Sequence, residues 1–188
     1  LLGPFPVAVL CHAHPLFGGN MEEPVVMALV RALDSIRIAS FRFNFRGVGN
    51  SQGTFSKWEE ESNDLRSALN LLKDWPGINN KRLGLVGYSF GAQVILRGSR
   101  TFKKAQAMVL VSPPLSSFEH SSVAPSGPPK LFLVGESDRV VGAKSLQERV
   151  ATFSPASSTE IIPSANHSLQ GYEEEVGQRV AQFLGEAL

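Results

Sequence analysis

Leu83-Gly84-Leu85-Val86-Gly87-Tyr88-Ser89-Phe90-Gly91 is a short apolar run that ends in a G-x-S-x-G pentapeptide and leads into a helical pattern. The run suits a buried strand, so the pentapeptide falls between a strand and a helix. A turn that tight holds its central serine in strained backbone geometry with the hydroxyl clear of the sheet, the arrangement known as a nucleophile elbow. Glycine at positions 87 and 91 removes the β-carbons that would crowd the neighbouring strand and the helix start. Ser89 is therefore the candidate nucleophile.

A serine hydroxyl at its ordinary pKa attacks poorly and needs a base, which an acid must in turn orient. Leu131-Phe132-Leu133-Val134 reads as a buried strand that runs into Gly135-Glu136-Ser137-Asp138-Arg139-Val140, placing two carboxylates just past a strand end. Asp138 is the expected acid; Glu136 competes, but lies so close to the strand end that it has less reach. Thr159-Glu160-Ile161-Ile162 is a last short strand, followed by Pro163-Ser164-Ala165-Asn166-His167 and an amphipathic helix. His167 is the expected base. His120 is the alternative, in a Ser/Pro-rich loop with only Glu119 beside it to orient it.

Two further loops extend the pattern: His12-Ala13-His14-Pro15-Leu16-Phe17-Gly18-Gly19 after a first strand, and Asn44-Phe45-Arg46-Gly47-Val48-Gly49-Asn50-Ser51 after a second. With these, and with Ser89, Asp138 and His167 in that chain order, the sequence resembles the α/β-hydrolases over nearly its whole length. Within them it is similar to the small, capless dienelactone-hydrolase-like branch. The resemblance implies a three-layer α/β fold, a mostly parallel sheet with helices on both faces and no cap domain. It implies a serine hydrolase that cleaves a small carboxylic ester through an acyl-enzyme on Ser89, with no metal or organic cofactor. It also implies an oxyanion hole in which a backbone N–H of Leu16 or Phe17, with Leu16 favoured, joins that of Phe90. Many relatives carry His-Gly where this chain has His14-Pro15, and proline has no N–H, so the donor is expected after Pro15.

The same constellation serves a thioester, a lactone or a small amide. Serine at the elbow argues against dehalogenase chemistry, for which a similar plan carries aspartate. Outside enzymology, the alternative is a non-catalytic hydrolase fold kept for binding.

Composition agrees with this picture. The 188 residues are 43% hydrophobic, enough for one compact domain with a substantial core, and residues 1–188 are expected to form a single α/β-hydrolase domain. A formal net charge of +1, with no Lys/Arg-rich cluster, gives no electrostatic reason to expect nucleic acid as a partner. Cys11 is the sole cysteine, so no intramolecular disulfide is possible; in its apolar strand it reads as a small buried hydrophobe. No apolar run approaches the ~20 residues that span a bilayer, so no membrane association and a cytoplasmic location are the default expectations. Val7-Ala8-Val9-Leu10 matches the third strand of the hydrolase plan, so the first strands are expected to be absent, truncated or not included.

Strands are expected at Val7–Cys11, Arg37–Asn44, Leu83–Tyr88, Ala107–Val111, Leu131–Val134 and Thr159–Ile162, alternating with helical patterns as in a parallel sheet covered on both faces. Asn20 is expected to cap a helix entered through Met21-Glu22-Glu23-Pro24, and Ser56-Lys57-Trp58-Glu59 reads as a capping box. Arg46 is expected to tie loops together by hydrogen bonds. His12 and His14 lack the further ligands of a metal site and are expected to shape the oxyanion loop. The stretch from Pro113 to Pro129 is too short for a helical cap, which implies an open site for a small-molecule acyl substrate; a homodimer in which a second subunit supplies a wall is compatible with it.

Overall fold

In the computed structural model, residues 3–57, 59–99, 102–119, 127–153 and 157–188 are described. Every expected strand forms: β1 Phe5–Cys11, β2 Ala39–Arg42, β3 Ile78–Tyr88, β4 Ala107–Val111, β5 Lys130–Gly135 and β6 Ser157–Ile162. They make one sheet in the order β2-β1-β3-β4-β5-β6, with each neighbouring pair parallel. Among the described residues five α-helices accompany it: α1 Pro24–Ser35, α2 Glu61–Leu71, α3 Phe90–Gly98, α4 Ala143–Val150 and α5 Glu173–Ala187.

The helices divide between the two faces. On one, Leu29 and Leu33 of α1 and Val180 and Leu184 of α5 pack against Val86, Val109 and Leu131. On the other, Leu65 of α2, Ile95 of α3 and Leu146 of α4 meet Leu85, Leu110 and Phe132. Successive strand residues thus serve opposite cores, as the two-residue period of a strand requires. Because both faces are covered, β4 and β5 are buried along their whole length. That is why they read as unbroken apolar runs rather than as alternating ones.

Three local expectations are corrected. Arg37 has a left-handed φ of 61°, and Ile38 N–H returns to Leu33 O at 3.0 Å, so the backbone is still turning where a strand was expected. β2 is accordingly confined to Ala39–Arg42. Asn20 does not cap α1; its Oδ1 accepts Glu22 N–H at 2.8 Å and its Nδ2 donates to Gly18 O at 2.9 Å, so it pins the loop instead. The N-cap position falls to Glu23, with Pro24 as the first helical residue, where its missing N–H costs nothing. Ser56 pairs with Glu61, not Glu59: Ser56 N–H and Oγ donate to the two oxygens of the fully buried Glu61 at 2.8 and 2.7 Å. Trp58, inside the expected capping box, lies outside the described residues.

Arg46 does tie two segments together, through carboxylates. Its guanidinium forks onto Asp64 at 2.7 to 3.2 Å and also reaches Glu60, fastening the loop after β2 to α2. Among the described residues no helix is long and apolar enough to cross a membrane.

Leu110 is fully buried between strands and helices, whereas Leu71 is 53% exposed on α2. Leu110→Ala should therefore cost about 2–5 kcal/mol in urea unfolding, and Leu71→Ala no more than about 0.5 kcal/mol. Equal losses at the two positions would contradict this packing.

Candidate active site

In an open parallel sheet, ligands bind beyond the carboxyl ends of the strands, where the strand order reverses. Here the reversal lies between β1 and β3. The loop His12–Gly19 leaves β1 and the elbow leaves β3, so the two meet at this point.

Ser89 sits at the tip of the elbow with φ 49° and ψ −105°, a conformation that costs a non-glycine residue free energy and persists only when its surroundings impose it. Its N–H is held by Val111 O of β4 at 2.8 Å, and its carbonyl accepts Gln93 N–H of α3 at 3.1 Å. The flanking glycines are forced. A β-carbon on Gly91 would lie 2.2 Å from Cys11 O, and one on Gly87 would lie 2.4 Å from Ala92 N. Larger residues would push strand and helix apart, and the elbow with them.

The three residues singled out in sequence come together. Ser89 Oγ lies 3.1 Å from His167 Nε2, and His167 Nδ1 lies 2.8 Å from Asp138 Oδ2. The other Asp138 oxygen accepts the N–H groups of Val140 and Val141 at 2.9 and 3.0 Å. With Oδ1 occupied, Oδ2 is left to accept the hydrogen bond from His167 Nδ1–H, which fixes that tautomer and leaves Nε2 as acceptor. Burial alone would raise the Asp138 pKa; the hydrogen bonds from His167, Val141 and Val140 outweigh it and hold the carboxyl below its ordinary value. Glu136 is engaged elsewhere, accepting Ser164 N–H at 2.9 Å. His120 lies outside the described residues.

One further partner has no signal in the sequence. Tyr88 Oη donates to His167 O at 2.9 Å, so the residue before the nucleophile holds the backbone of the histidine loop. Burial, with Glu23, Asp138 and Glu173 nearby, pushes the phenol pKa up and keeps it a neutral donor.

Leu16, the expected second oxyanion donor, is turned away. Pro15–Phe17 forms a short 3-10 turn in which Leu16 N–H donates to His14 Nδ1 at 3.2 Å and Phe17 N–H to His14 O at 3.0 Å. Gly18 and Gly19 donate to Pro15 O and His14 O, and Ala13 N–H donates to Glu23 Oε1 at 2.7 Å. That leaves His14 as the one residue of the stretch 13–19 whose N–H has no acceptor among the described residues. Phe90 N–H, at the first position of α3, is likewise without one, and it lies at the positive end of a helix dipole.

The two histidines of this loop have separate work. His12 is fully buried; its Nδ1–H donates to Ala13 O at 2.7 Å and its Nε2 accepts Phe45 N–H at 3.1 Å. Burial lowers its pKa to about 4, so a neutral ring ties the loop after β1 to the exit of β2. His14 packs its ring among Phe17, Phe55 and Phe90, and burial lowers its pKa too.

A cavity of about 770 Å³ opens over Ser89 and His167, walled by Phe17, Val25, Pro114 and Val140. Its size is that of a small-molecule site. Phe17 and Val140 stand 88% and 66% exposed at its edge. A larger depression of about 930 Å³ runs past Arg42, Asn44 and Ser51 and includes neither Ser89 nor His167, so this chemistry does not reach it.

Fold and site together define an α/β hydrolase. Residues 51–182 match the dienelactone hydrolase family, and the chain belongs to that family. It is similar to the protein RP471 of Rickettsia prowazekii (strain Madrid E), at 30% identity over 190 residues covering 95% of this chain and 78% of that protein. Among solved structures it resembles XC6422 from Xanthomonas campestris, described as a member of the α/β serine hydrolases without a lid. The TM-score is 0.85 at 28% identity, over 99% of this chain and 83% of that one. An α-β serine hydrolase homologue from Coxiella burnetii gives a TM-score of 0.82 at 30% identity, over 97% and 85% of the respective chains.

If the Tyr88 hydroxyl positions His167, Tyr88→Phe should lower kcat severalfold with little change in KM, because the ring loses its fixed aim while the cavity keeps its shape. An unchanged kcat in a folded variant would remove Tyr88 from the site.

Proposed function

We propose that this protein is a serine esterase that cleaves small carboxylic esters through an acyl-enzyme on Ser89. The observation that carries the reading is the hydrogen-bonded series from Ser89 Oγ through His167 to a buried Asp138, mounted on a strained elbow. Ser89 Oγ attacks the ester carbonyl carbon while His167 Nε2 takes its proton. The N–H groups of Phe90 and His14 receive the oxyanion, with His14 replacing the engaged Leu16. As the tetrahedral intermediate collapses, the alcohol leaves with the proton from His167. Water then attacks the acyl-enzyme with His167 again as base, releasing the carboxylic acid and restoring Ser89. Asp138 holds the ring in the useful tautomer and stabilises its transient charge.

A fluorophosphonate should label Ser89 alone, because only an activated hydroxyl beside oxyanion donors attacks phosphorus quickly. Ser89→Ala should abolish both labelling and ester turnover. Labelling that persists in that variant, or that maps to another serine, would sink the assignment.

Asp138→Asn should leave the fold intact and lower kcat by a factor on the order of 10⁴, since the amide favours the wrong imidazole tautomer. Glu136→Gln, which alters only the contact to Ser164, should change kcat little. The opposite ranking would move the acid role to Glu136.

An open rim formed by exposed Phe17 and Val140 offers little new surface to a long acyl chain. A buried methylene would gain about 0.8 kcal/mol, so a deep tunnel would raise kcat/KM severalfold per carbon. Across p-nitrophenyl esters from acetate to decanoate, the rise should stop after the first few carbons. A steady rise to decanoate would point to a closed tunnel.

A further inference from the structure

The walls of the catalytic cavity carry charge of one sign. Beside its apolar residues, the cavity is lined by Glu23 and Glu173, and among the described residues no lysine or arginine borders it. Each carboxylate is anchored through one oxygen: Glu23 Oε1 accepts Ala13 N–H at 2.7 Å, and Glu173 Oε2 accepts Gly171 N–H at 2.8 Å. Glu23 Oε2 and Glu173 Oε1 have no partner among the described residues. Neither glutamate belongs to the Ser89, His167, Asp138 series. Among the described lining residues, the groups able to carry positive charge are His14 and His167. His14 spends its Nδ1 as an acceptor for Leu16 N–H, which requires a neutral ring.

A substrate whose acyl group ends in a carboxylate would have to give up hydration inside apolar walls and meet the Glu173 carboxylate, joined above about pH 7 by that of Glu23, whose pKa burial raises to about 7, with no lysine or arginine among the described lining residues to offset them. A neutral acyl group meets no such opposition. One ending in a quaternary ammonium finds two anchored carboxylates, and each still presents a second oxygen.

Resting on the esterase reading of this site, we propose that Glu23 and Glu173 determine specificity by charge, so that the enzyme takes neutral and cationic acyl groups and rejects anionic ones. The residues act on the substrate tail and not on the reacting carbonyl. Their effect therefore appears in the ratio between substrates, whatever happens to the overall rate.

The test compares p-nitrophenyl esters of three acids of matched length: pentanoic acid, glutaric acid with one carboxylate left free, and 4-(trimethylammonio)butanoic acid. For the wild type at low salt and well above pH 7, where Glu23 is ionised, kcat/KM for the pentanoyl ester should exceed that for the glutaryl ester about tenfold or more. The ammonium ester should be at least as good as the neutral one. Added sodium chloride should narrow the spread, since mobile ions screen the opposing charges. Glu173→Gln should shrink the ratio in part. Adding Glu23→Gln, which keeps an oxygen for Ala13 N–H, should bring it below about threefold.

A glutaryl ester cleaved as well as the pentanoyl ester would overturn the proposal, as would a ratio unchanged in the double variant. Inhibition or thermal stabilisation by pentylboronic acid against 4-carboxybutylboronic acid reads the same preference without turnover. Boronates ranked by charge while no ester is cleaved would sink the esterase reading alone. Esters cleaved with no ranking by charge would sink this proposal alone.

Discussion

Everything at this site depends on a backbone that is held where it would not rest by itself. Ser89 occupies a left-handed φ because β3 must turn into α3 within a single residue. The turn closes only because Gly87 and Gly91 let Ala92 N and Cys11 O approach within distances that no side chain tolerates. Val111 O on β4 supplies the opposing tether. The strain is thus sustained by the packed sheet, with buried strands on either side of β3 and helices on both faces. What it yields is direction: a hydroxyl lifted toward His167, beside the first N–H of a helix.

The electrostatics are arranged around that hydroxyl by saturating each neighbouring group. Asp138 has one oxygen fully occupied by two backbone N–H groups, so the other has a single use. His12 has both ring nitrogens committed to backbone and stays neutral. Glu23 and Glu173 are the exceptions, each with only one oxygen engaged, and burial pushes the Glu23 carboxyl up to about 7. A group left partly unsatisfied beside a reaction centre is where specificity for the rest of the substrate has room to act.

The large-scale plan was legible because it rests on local signals. Apolar runs of strand length, separated by helical stripes, placed all six strands, and G-x-S-x-G with a downstream Asp138 and His167 named residues that the fold does bring within hydrogen-bonding distance. What escaped were contacts decided by a side chain reaching back to nearby backbone. The His14 ring captures Leu16 N–H, which no pattern around Pro15 announces. Ser56 chose Glu61 over Glu59 because the helix begins four residues later than a capping box assumes. Arg37 turns left-handed to close α1 onto β2, a conformation to which its neighbours gave no clue. Tyr88 and Glu23 were equally silent, since their partners lie on other elements and only the assembled sheet brings them near.

The most direct test of the elbow as the origin of the chemistry is a crystal structure of the protein after reaction with a methylphosphonate ester. Phosphorus should be bonded to Ser89 Oγ, with one phosphoryl oxygen about 2.7–3.1 Å from the nitrogens of both Phe90 and His14. Leu16 N–H should remain on the His14 ring. Phosphorus on another residue, or a phosphoryl oxygen aimed away from those two N–H groups, would contradict the assignment of nucleophile and oxyanion hole made from this geometry.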